Sequence, residues 1–367
     1  MEPTKSLQFQ VKKNKFINHA IEEIPEENLT PATDEIIVKV DLFSFTSNNI
    51  TYAVSGEIIR YWEFFPPVGK QTEGWGVIPV WGFADVVESK ANNIPVGDRI
   101  FGYFPPASHL KMKAGYITGK RFIDVSEHRS TLPPTYNLYR RVLSEPNYDQ
   151  KLDRDRALFY PLYITSFCLW DSLQENNWFG AEQTIILSAS SKTSIGLAYG
   201  LHIDETAPNA IGITSERNLE AVVKLGLYDE VYTYNQLTQI NSTIPTVIVD
   251  MSGNNMVLVD LHKRLGDLMK FTFKVGLTHW KKSNPNEGII RERSKFFFAP
   301  SHIQKRIEDW GASEFDQKTT QFLVDAVATT KGWLQYKNLD GLADLALVYP
   351  TVCNGTLAAD QGLIVKM

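Results

Sequence analysis

Apolar and polar positions alternate along the first stretch of the chain. LQFQV (7–11) and EIIVKVDLFSF (35–45) both show the two-residue period of strands with one buried face, and Pro25, Pro31 and Asp34 lie between them as turn material. SNNITYAVSG follows as a short helix or turn ending at Gly56. The segment 126–155 is polar, carries Pro133, Pro134 and Pro146, and reads as a long connection with a domain boundary near its end. From Ala157 the period changes. ALFYPLYITSFCLWDSLQE reads as a helix with Pro161 in its first turn, and TIIL (184–187) as an unbroken strand buried on both faces. SIGLAYGLH, RNLEAVVKLG and NNMVLVDLHKRLG are helices; NAIGIT, EVYTY, PTVIVDMSG, LMKFTFKVGL and KFFFAP are strands. After Trp310 a helix, SEFDQKTTQFLVDAVATT, leads into the tail GLIVKM. Strands and helices alternating at this spacing predict an α/β unit with a doubly wound parallel sheet.

The stretch that organises this half is Thr184 to Gly200, TIILSASSKTSIGLAYG. It runs from strand through a hydroxyl-rich turn into a helix. The start of that helix presents unpaired N–H groups and the positive end of its dipole, which suits a phosphate. Ser191, Thr193 and Ser194 can donate hydroxyls and Lys192 adds a charge. The alternative is a serine-rich helix cap and nothing more. A dinucleotide turn usually reads G-x-G-x-x-G, and here Gly196 is the glycine that survives. A Walker A loop needs a glycine directly before its lysine, where Ser191 stands.

About 25 residues further on comes IGITSERN. The end of the second strand of a dinucleotide site reads the adenosine ribose. An acid there pairs with the hydroxyl of NAD, whereas an arginine accommodates the 2′-phosphate of NADP. Ser215 and Arg217 favour NADPH. Glu216 argues for NADH, and both charges could be ordinary helix-start residues.

Composition narrows the classes. A chain of 367 residues implies two domains, and 43% apolar with 22% charged residues is the balance of a soluble globular protein. A net charge of −5 gives no basic footprint for nucleic acid or anionic lipid. Cys168 and Cys353 form neither a disulfide framework nor a metal motif. No stretch approaches the apolar length of a membrane span, and the amino terminus lacks a signal-peptide core, so a cytoplasmic location is expected. Residues 60–89 are rich in aromatics and glycine, either an apolar pocket or plain packing.

Several stretches, in their order along the chain, resemble the medium-chain dehydrogenase/reductase superfamily: EIIVKVDLFSFTSNNI, VVES with VGDRIFGYF, YITSFCLWDSL, TSERN, KLGLYDEVYTY and VIVDMSGN. The resemblance is nearest to the zinc-independent quinone oxidoreductase and enoyl reductase branch. WGVIPVWGFADV, YWEFFPP and ASSKTS look like a divergent bacterial subgroup carrying a domain-of-unknown-function label. The resemblance implies a GroES-like β domain at 1–155, completed by 313–367, around a Rossmann NADP-binding domain at 156–312. It places Thr165 at the nicotinamide end, and Ser252 and Gly253 in the turn after the fourth strand against the cofactor. Tyr52, in TYAVSG, falls where related quinone reductases carry a pocket tyrosine. Asn49 beside it could bind a carbonyl oxygen, and either residue could be a turn or packing residue instead. Tyr61 and His279 are candidates on position alone. The cysteines and Gly-His-Glu of the zinc branch are missing, so no metal is expected.

The leading expectation is an NADPH-dependent reductase of a small apolar enone, enal or quinone. Two alternatives stay open. One is a cofactor-binding sensor or structural protein that has lost catalysis; the other is an enoyl-thioester reductase acting with a partner. Apart from a small-molecule substrate, the partner considered is a second copy, as a homodimer.

Overall fold

The computed structural model describes residues 5–69, 72–275 and 288–367. The chain opens with β1 (Leu7–Lys12), β2 (Lys15–Glu23), β3 (Glu35–Phe45) and helix α1 (Ser47–Val54), followed by β4 (Trp75–Gly76) and β5 (Val80–Ser89). Next come β6 (Arg99–Phe104), β7 (His109–Gly115), β8 (Arg121–Asp124) and β9 (Leu138–Arg141). Helix α2 (Asp153–Glu175) leads to β10 (Gln183–Leu187), α3 (Lys192–His202), β11 (Asn209–Thr214), α4 (Leu219–Lys224) and β12 (Glu230–Thr233). After these stand β13 (Thr246–Asp250), α5 (Asn255–Leu265), β14 (Met269–Lys274), β15 (Ser294–Phe296), α6 (Ala299–Trp310) and α7 (Ala312–Thr330). The last elements are β16 (Gln335–Asp340), α8 (Gly341–Cys353) and β17 (Gln361–Lys366).

By internal contact the chain forms one unit from Met1–Leu158 with Gln335–Met367, and a second from Phe159–Leu334. The first is a GroES-like β domain. Strands β3, β5, β6, β9, β8 and β7 pair in that order, and β7 returns to β3, closing a six-membered ring. β3 closes it because it is long enough to serve three partners. Its first half pairs with β7, its length with β5, and its end with β17, Phe45 opposite Leu363. The carboxyl-terminal strand is therefore built into the first unit. Sequence places that return at 313. By contact it comes at Gln335, because α7 packs within the second unit, where Phe322 stacks on Trp170.

The polar segment 126–155, expected as a connection, contributes β9 to the ring instead, where Ile100 and Phe101 pair with Arg141 and Arg140. Pro161 also lies elsewhere than expected, in the interior of α2 rather than its first turn. A proline there leaves the carbonyl four residues earlier without its helical donor. That carbonyl belongs to Ala157, and the Ser44 hydroxyl donates to it at 2.7 Å.

The second unit is a Rossmann domain. Its six strands run parallel in the order β12-β11-β10-β13-β14-β15, so the winding reverses between β10 and β13. Ile185, Leu187, Ile211, Ile213 and Ile248 meet Leu258, Leu261 and Leu265 of α5 in one buried cluster. In open parallel sheets ligands bind beyond the carboxyl ends of the strands at such a reversal.

Candidate functional site

Three strand ends meet at the reversal: Leu187 of β10, Thr214 of β11 and Asp250 of β13, with Leu187 and Asp250 in register. The first turn begins at Ser188, whose φ of 60° is left-handed backbone that glycine usually supplies. Side chains from neighbouring segments hold it. The Ser188 amide donates to the Tyr234 hydroxyl at 3.1 Å, the Tyr228 hydroxyl donates to the Ala189 carbonyl at 2.8 Å, and Asn218 Nδ2 donates to Ser190 Oγ at 2.9 Å. Gly212 on β11 makes room for this bracing, since a Cβ there would stand 2.9 Å from the Tyr228 ring and 3.0 Å from Ala189 Cβ. None of these partners is legible in the motif itself. They come from segments flanking β11 and β12, 28 to 46 residues away along the chain.

The predicted phosphate ligands are largely occupied with one another. Ser191 caps α3 by accepting from the Ser194 amide at 3.1 Å, and the Ser191 and Ser194 hydroxyls are 2.8 Å apart. The Thr193 carbonyl accepts from Ser166 Oγ at 2.7 Å. Lys192 Nζ lies 5.6 Å from the centre of the Trp333 ring. Gly196 sits one turn into α3, buried against α2, where a Cβ would stand 2.6 Å from Ser166 Oγ and 2.7 Å from the Tyr163 ring. Its place is in the helix packing that the third glycine of such turns provides. Thr165 is half-buried on α2, its hydroxyl donating to the Pro161 carbonyl at 3.0 Å.

At the end of β11, Ser215 Oγ is buried without a partner among the described residues, and Arg217 beside it is exposed. A buried hydroxyl left unpaired costs free energy until something accepts or donates there. This is the atom that fits a ribose or phosphate oxygen. In the turn after β13, Asp250 is fully buried; its Oδ1 accepts from the Ser252 amide and hydroxyl at 2.8 and 2.7 Å and from the Gly253 amide at 3.0 Å. Burial pushes the Asp250 carboxyl above its ordinary range.

The candidate residues of the first unit gather in a ring cluster. Tyr52, on α1, lies 4.7 Å from Tyr61 and 5.7 Å from Tyr103 between ring centres. Its hydroxyl accepts from Asn48 Nδ2 at 3.0 Å, and burial pushes the phenol up to about 12. Asn49 faces the fold. Its Oδ1 accepts from the Thr46 amide at 2.7 Å and its Nδ2 donates to the Pro79 carbonyl at 2.8 Å, so the amide expected to meet a substrate oxygen caps α1. Asn48, which sequence reasoning passed over, is the residue that donates to the Tyr52 hydroxyl. An i,i+4 pairing on one helix face is the signal that could have found it. Tyr61 bonds Tyr136, hydroxyl to hydroxyl, at 2.8 Å. His279 lies outside the described residues. Among the described residues no group of three or more His, Cys, Asp or Glu is placed to hold a metal ion, and no helix is long and apolar enough to cross a membrane.

A GroES-like ring completed by the carboxyl terminus, with a Rossmann domain inserted, defines the medium-chain dehydrogenase/reductase fold. Within that class the chain belongs to the family described as a protein of unknown function (DUF2855), which matches residues 43–358. Solved structures share the fold over the whole length. An enoyl thioester reductase from Candida tropicalis, in mutant form, is 11% identical at a TM-score of 0.58, covering 100% of both chains. CurA from Vibrio vulnificus, in complex with NADPH, is 13% identical at 0.60, covering 98% of this chain and 99% of its own. A candidate NADPH:quinone reductase from Bacillus thuringiensis is 11% identical at 0.61, covering 100% of both. No curated protein sequence matches the chain.

Proposed function

We propose that this chain is an NADPH-dependent reductase of a small apolar enone, enal or quinone, working without zinc. The observation that carries the reading is Tyr52: a buried, neutral phenol among aromatic rings, oriented by Asn48. Because its oxygen accepts from Asn48, its own proton is not used in that bond. A phenol held neutral near physiological pH is an acid positioned to protonate an enolate or quinone oxygen. The surrounding rings exclude water from that oxygen, which strengthens the hydrogen bond.

NADPH, when bound, supplies the hydride. The chain's own part is to hold it, and the residues that would do so are Ser215 and Arg217 at the 2′-phosphate, the amino end of α3 at the pyrophosphate, Thr165, and the Ser252–Gly253 turn. The unpaired Ser215 hydroxyl supports this reading, as does the fold shared with structures described as NADPH complexes.

A second reading, a sensor or structural protein that has lost catalysis, is favoured by one observation. The hydroxyls of the first turn bond to each other, and Lys192 rests over Trp333. Calorimetric titration of the purified chain with NADPH and NADH separates the two, followed by NADPH absorbance assays over enones, enals, quinones and enoyl thioesters. Tight NADPH binding with turnover of an apolar carbonyl compound is expected. Absence of binding to either nucleotide hands the chain to the second reading.

A further inference from the structure

We propose that the first unit carries a second ligand site, a cavity that holds a small carboxylate with an aliphatic tail on Arg141. The inference does not rest on the reductase reading, because none of the residues assigned above to nucleotide or substrate lines this cavity.

The cavity measures about 680 Å³, within the range of small-molecule sites. It is formed by the end of β5 and the loop after it, the turn between β7 and β8, and the last residue of β9. The lining carries one cation, Arg141, and no carboxylate. The Arg141 side chain is only 15% exposed, so its charge is poorly screened by water. Its Nε donates to Asp98 at 2.5 Å and its Nη1 to the Thr118 carbonyl at 2.9 Å. A guanidinium has five donors in one plane, and these two bonds fix that plane. Nη2 makes no hydrogen bond among the described residues, which leaves one edge of the fork for a carboxylate.

Asp98 offsets part of the charge, and the surrounding chain restores it. From Lys111 to Arg121 stand four Lys and Arg and no Asp or Glu, in a protein of net charge −5. Thr118 and Gly119 of the lining belong to this stretch, whose field draws anions. The exposed amides of Asn92 and Asn93 add donors at the wall.

The rest of the wall indicates the tail. Ile94, Pro95, Val96 and Ile117 line the cavity, and no aromatic ring does. Val96 is 63% exposed, so apolar surface stands in water until a ligand covers it. Inorganic phosphate or acetate would leave that surface wet. A saturated chain ending in a carboxylate satisfies both halves of the wall.

Octanoate is the probe, titrated by calorimetry into the full chain without nucleotide, with acetate and octanol as comparators. Octanoate is expected to bind, and each comparator to bind at least tenfold more weakly, lacking either tail or charge. Arg141→Lys keeps a charge beside Asp98 but loses the fork, and should bind octanoate about tenfold more weakly. Val96 tests the same place from the solvent side, where substitution leaves the fold intact. Val96→Glu should weaken octanoate about tenfold with an unchanged melting temperature, and Val96→Lys should tighten it. Failure of the wild type to bind octanoate overturns the proposal. Octanol binding as tightly as octanoate also overturns it, since the cavity is then an apolar surface only. Octanoate affinity unchanged in Val96→Glu places the ligand elsewhere and overturns it as well.

Discussion

The ring cluster around Tyr52 and the turn around Ser191 treat their hydroxyl groups in opposite ways. In the turn, Ser191 and Ser194 face one another, Ser190 accepts from Asn218, and the backbone is bound by Tyr228 and Tyr234. In the cluster, the fully buried Tyr103 keeps a hydroxyl without a partner among the described residues. A polar group satisfied by its neighbours stabilises the fold, whereas one left unsatisfied in an apolar surround is held at a cost that a ligand can relieve. The turn thus trades adaptability for rigidity, and a ligand binding there must be recognised mainly by helix-start amides and by the Ser215 side. On the proposed reading, substrate chemistry belongs to the cluster.

The largest test of that contrast is Tyr52→Phe. If the phenol is the proton donor, turnover should fall by about 10²- to 10⁴-fold while NADPH affinity stays at its wild-type value. Steady-state kinetics beside nucleotide titration reads both. Equal losses in turnover and nucleotide affinity would place Tyr52 in the architecture and not in the chemistry.

Acid gives the next test. The buried His262 ring accepts from the Ile290 amide at its Nδ1, 3.0 Å away, and lies 3.0 Å from Thr272 Oγ1 at its Nε2. Burial, with Arg293 and Lys274 nearby, lowers its pKa to about 4. The unfolded chain, with an ordinary histidine, takes up its proton first as pH falls. The stabilisation is therefore complete above about pH 6.5 and is lost progressively toward pH 4, on the order of 3 kcal/mol in all. The tyrosines of the cluster are neutral throughout this window and contribute no slope. Urea midpoints across pH 4–7 should fall with acid in the wild type and fall less steeply in His262→Asn.

Much of the Rossmann unit was legible because parallel strands buried on both faces are unbroken aliphatic runs between small residues, as at Thr184–Leu187 and Thr246–Asp250. The first unit was harder. β9 is four residues, Leu-Tyr-Arg-Arg, in a proline-bearing polar segment, and β16 reads Gln-Tyr-Lys-Asn-Leu-Asp with mostly exposed side chains. Neither has an apolar period to detect, and pairing across the ring or with β17 defines them. Pro161 misled for a related reason. Its tolerance inside α2 depends on Ser44, more than a hundred residues earlier. The candidate site divides in the same way. Ser215 and the α3 start could be named from local pattern and Tyr52 from the resemblance to related quinone reductases, whereas Asn49's commitment to capping and the bracing by Tyr228 and Tyr234 are long-range or geometric facts.

Gly196→Ala tests the rigidity of the turn. Its Cβ would meet Ser166 and Tyr163 at 2.6–2.7 Å, so α3 must move from α2. A stability loss of about 1–3 kcal/mol by urea unfolding is expected, with weaker binding of both nucleotides. If nucleotide affinity survives the shift intact, the turn does not position the ligand.

Arg217→Ala asks whether recognition lies on the Ser215 side. NADPH binding should weaken by about 2 kcal/mol, the scale of a charged hydrogen bond, and NADH binding should barely change. A wild type that prefers NADH would remove the basis for the assignment.

The smallest effect belongs to Lys192. A phosphate at the start of α3 would gain from its charge, but the ammonium already lies over the Trp333 indole at 5.6 Å. Leaving that face costs about 0.5–1 kcal/mol, which offsets part of the gain from a phosphate. The net loss in Lys192→Ala should then be only about 1 kcal/mol, less than an unencumbered charge-assisted bond would give. It should be equal for NADPH and NADH, because both carry the pyrophosphate that the proposal assigns to α3 and differ only at the ribose that it assigns to Arg217. Trp333→Leu supplies the complementary measurement. Freed from the indole, Lys192 should bind both nucleotides slightly more tightly than in the wild type. A loss confined to NADPH in Lys192→Ala would move the lysine to the 2′-phosphate, and tighter binding in Lys192→Ala would mean that the turn rejects the charge it carries.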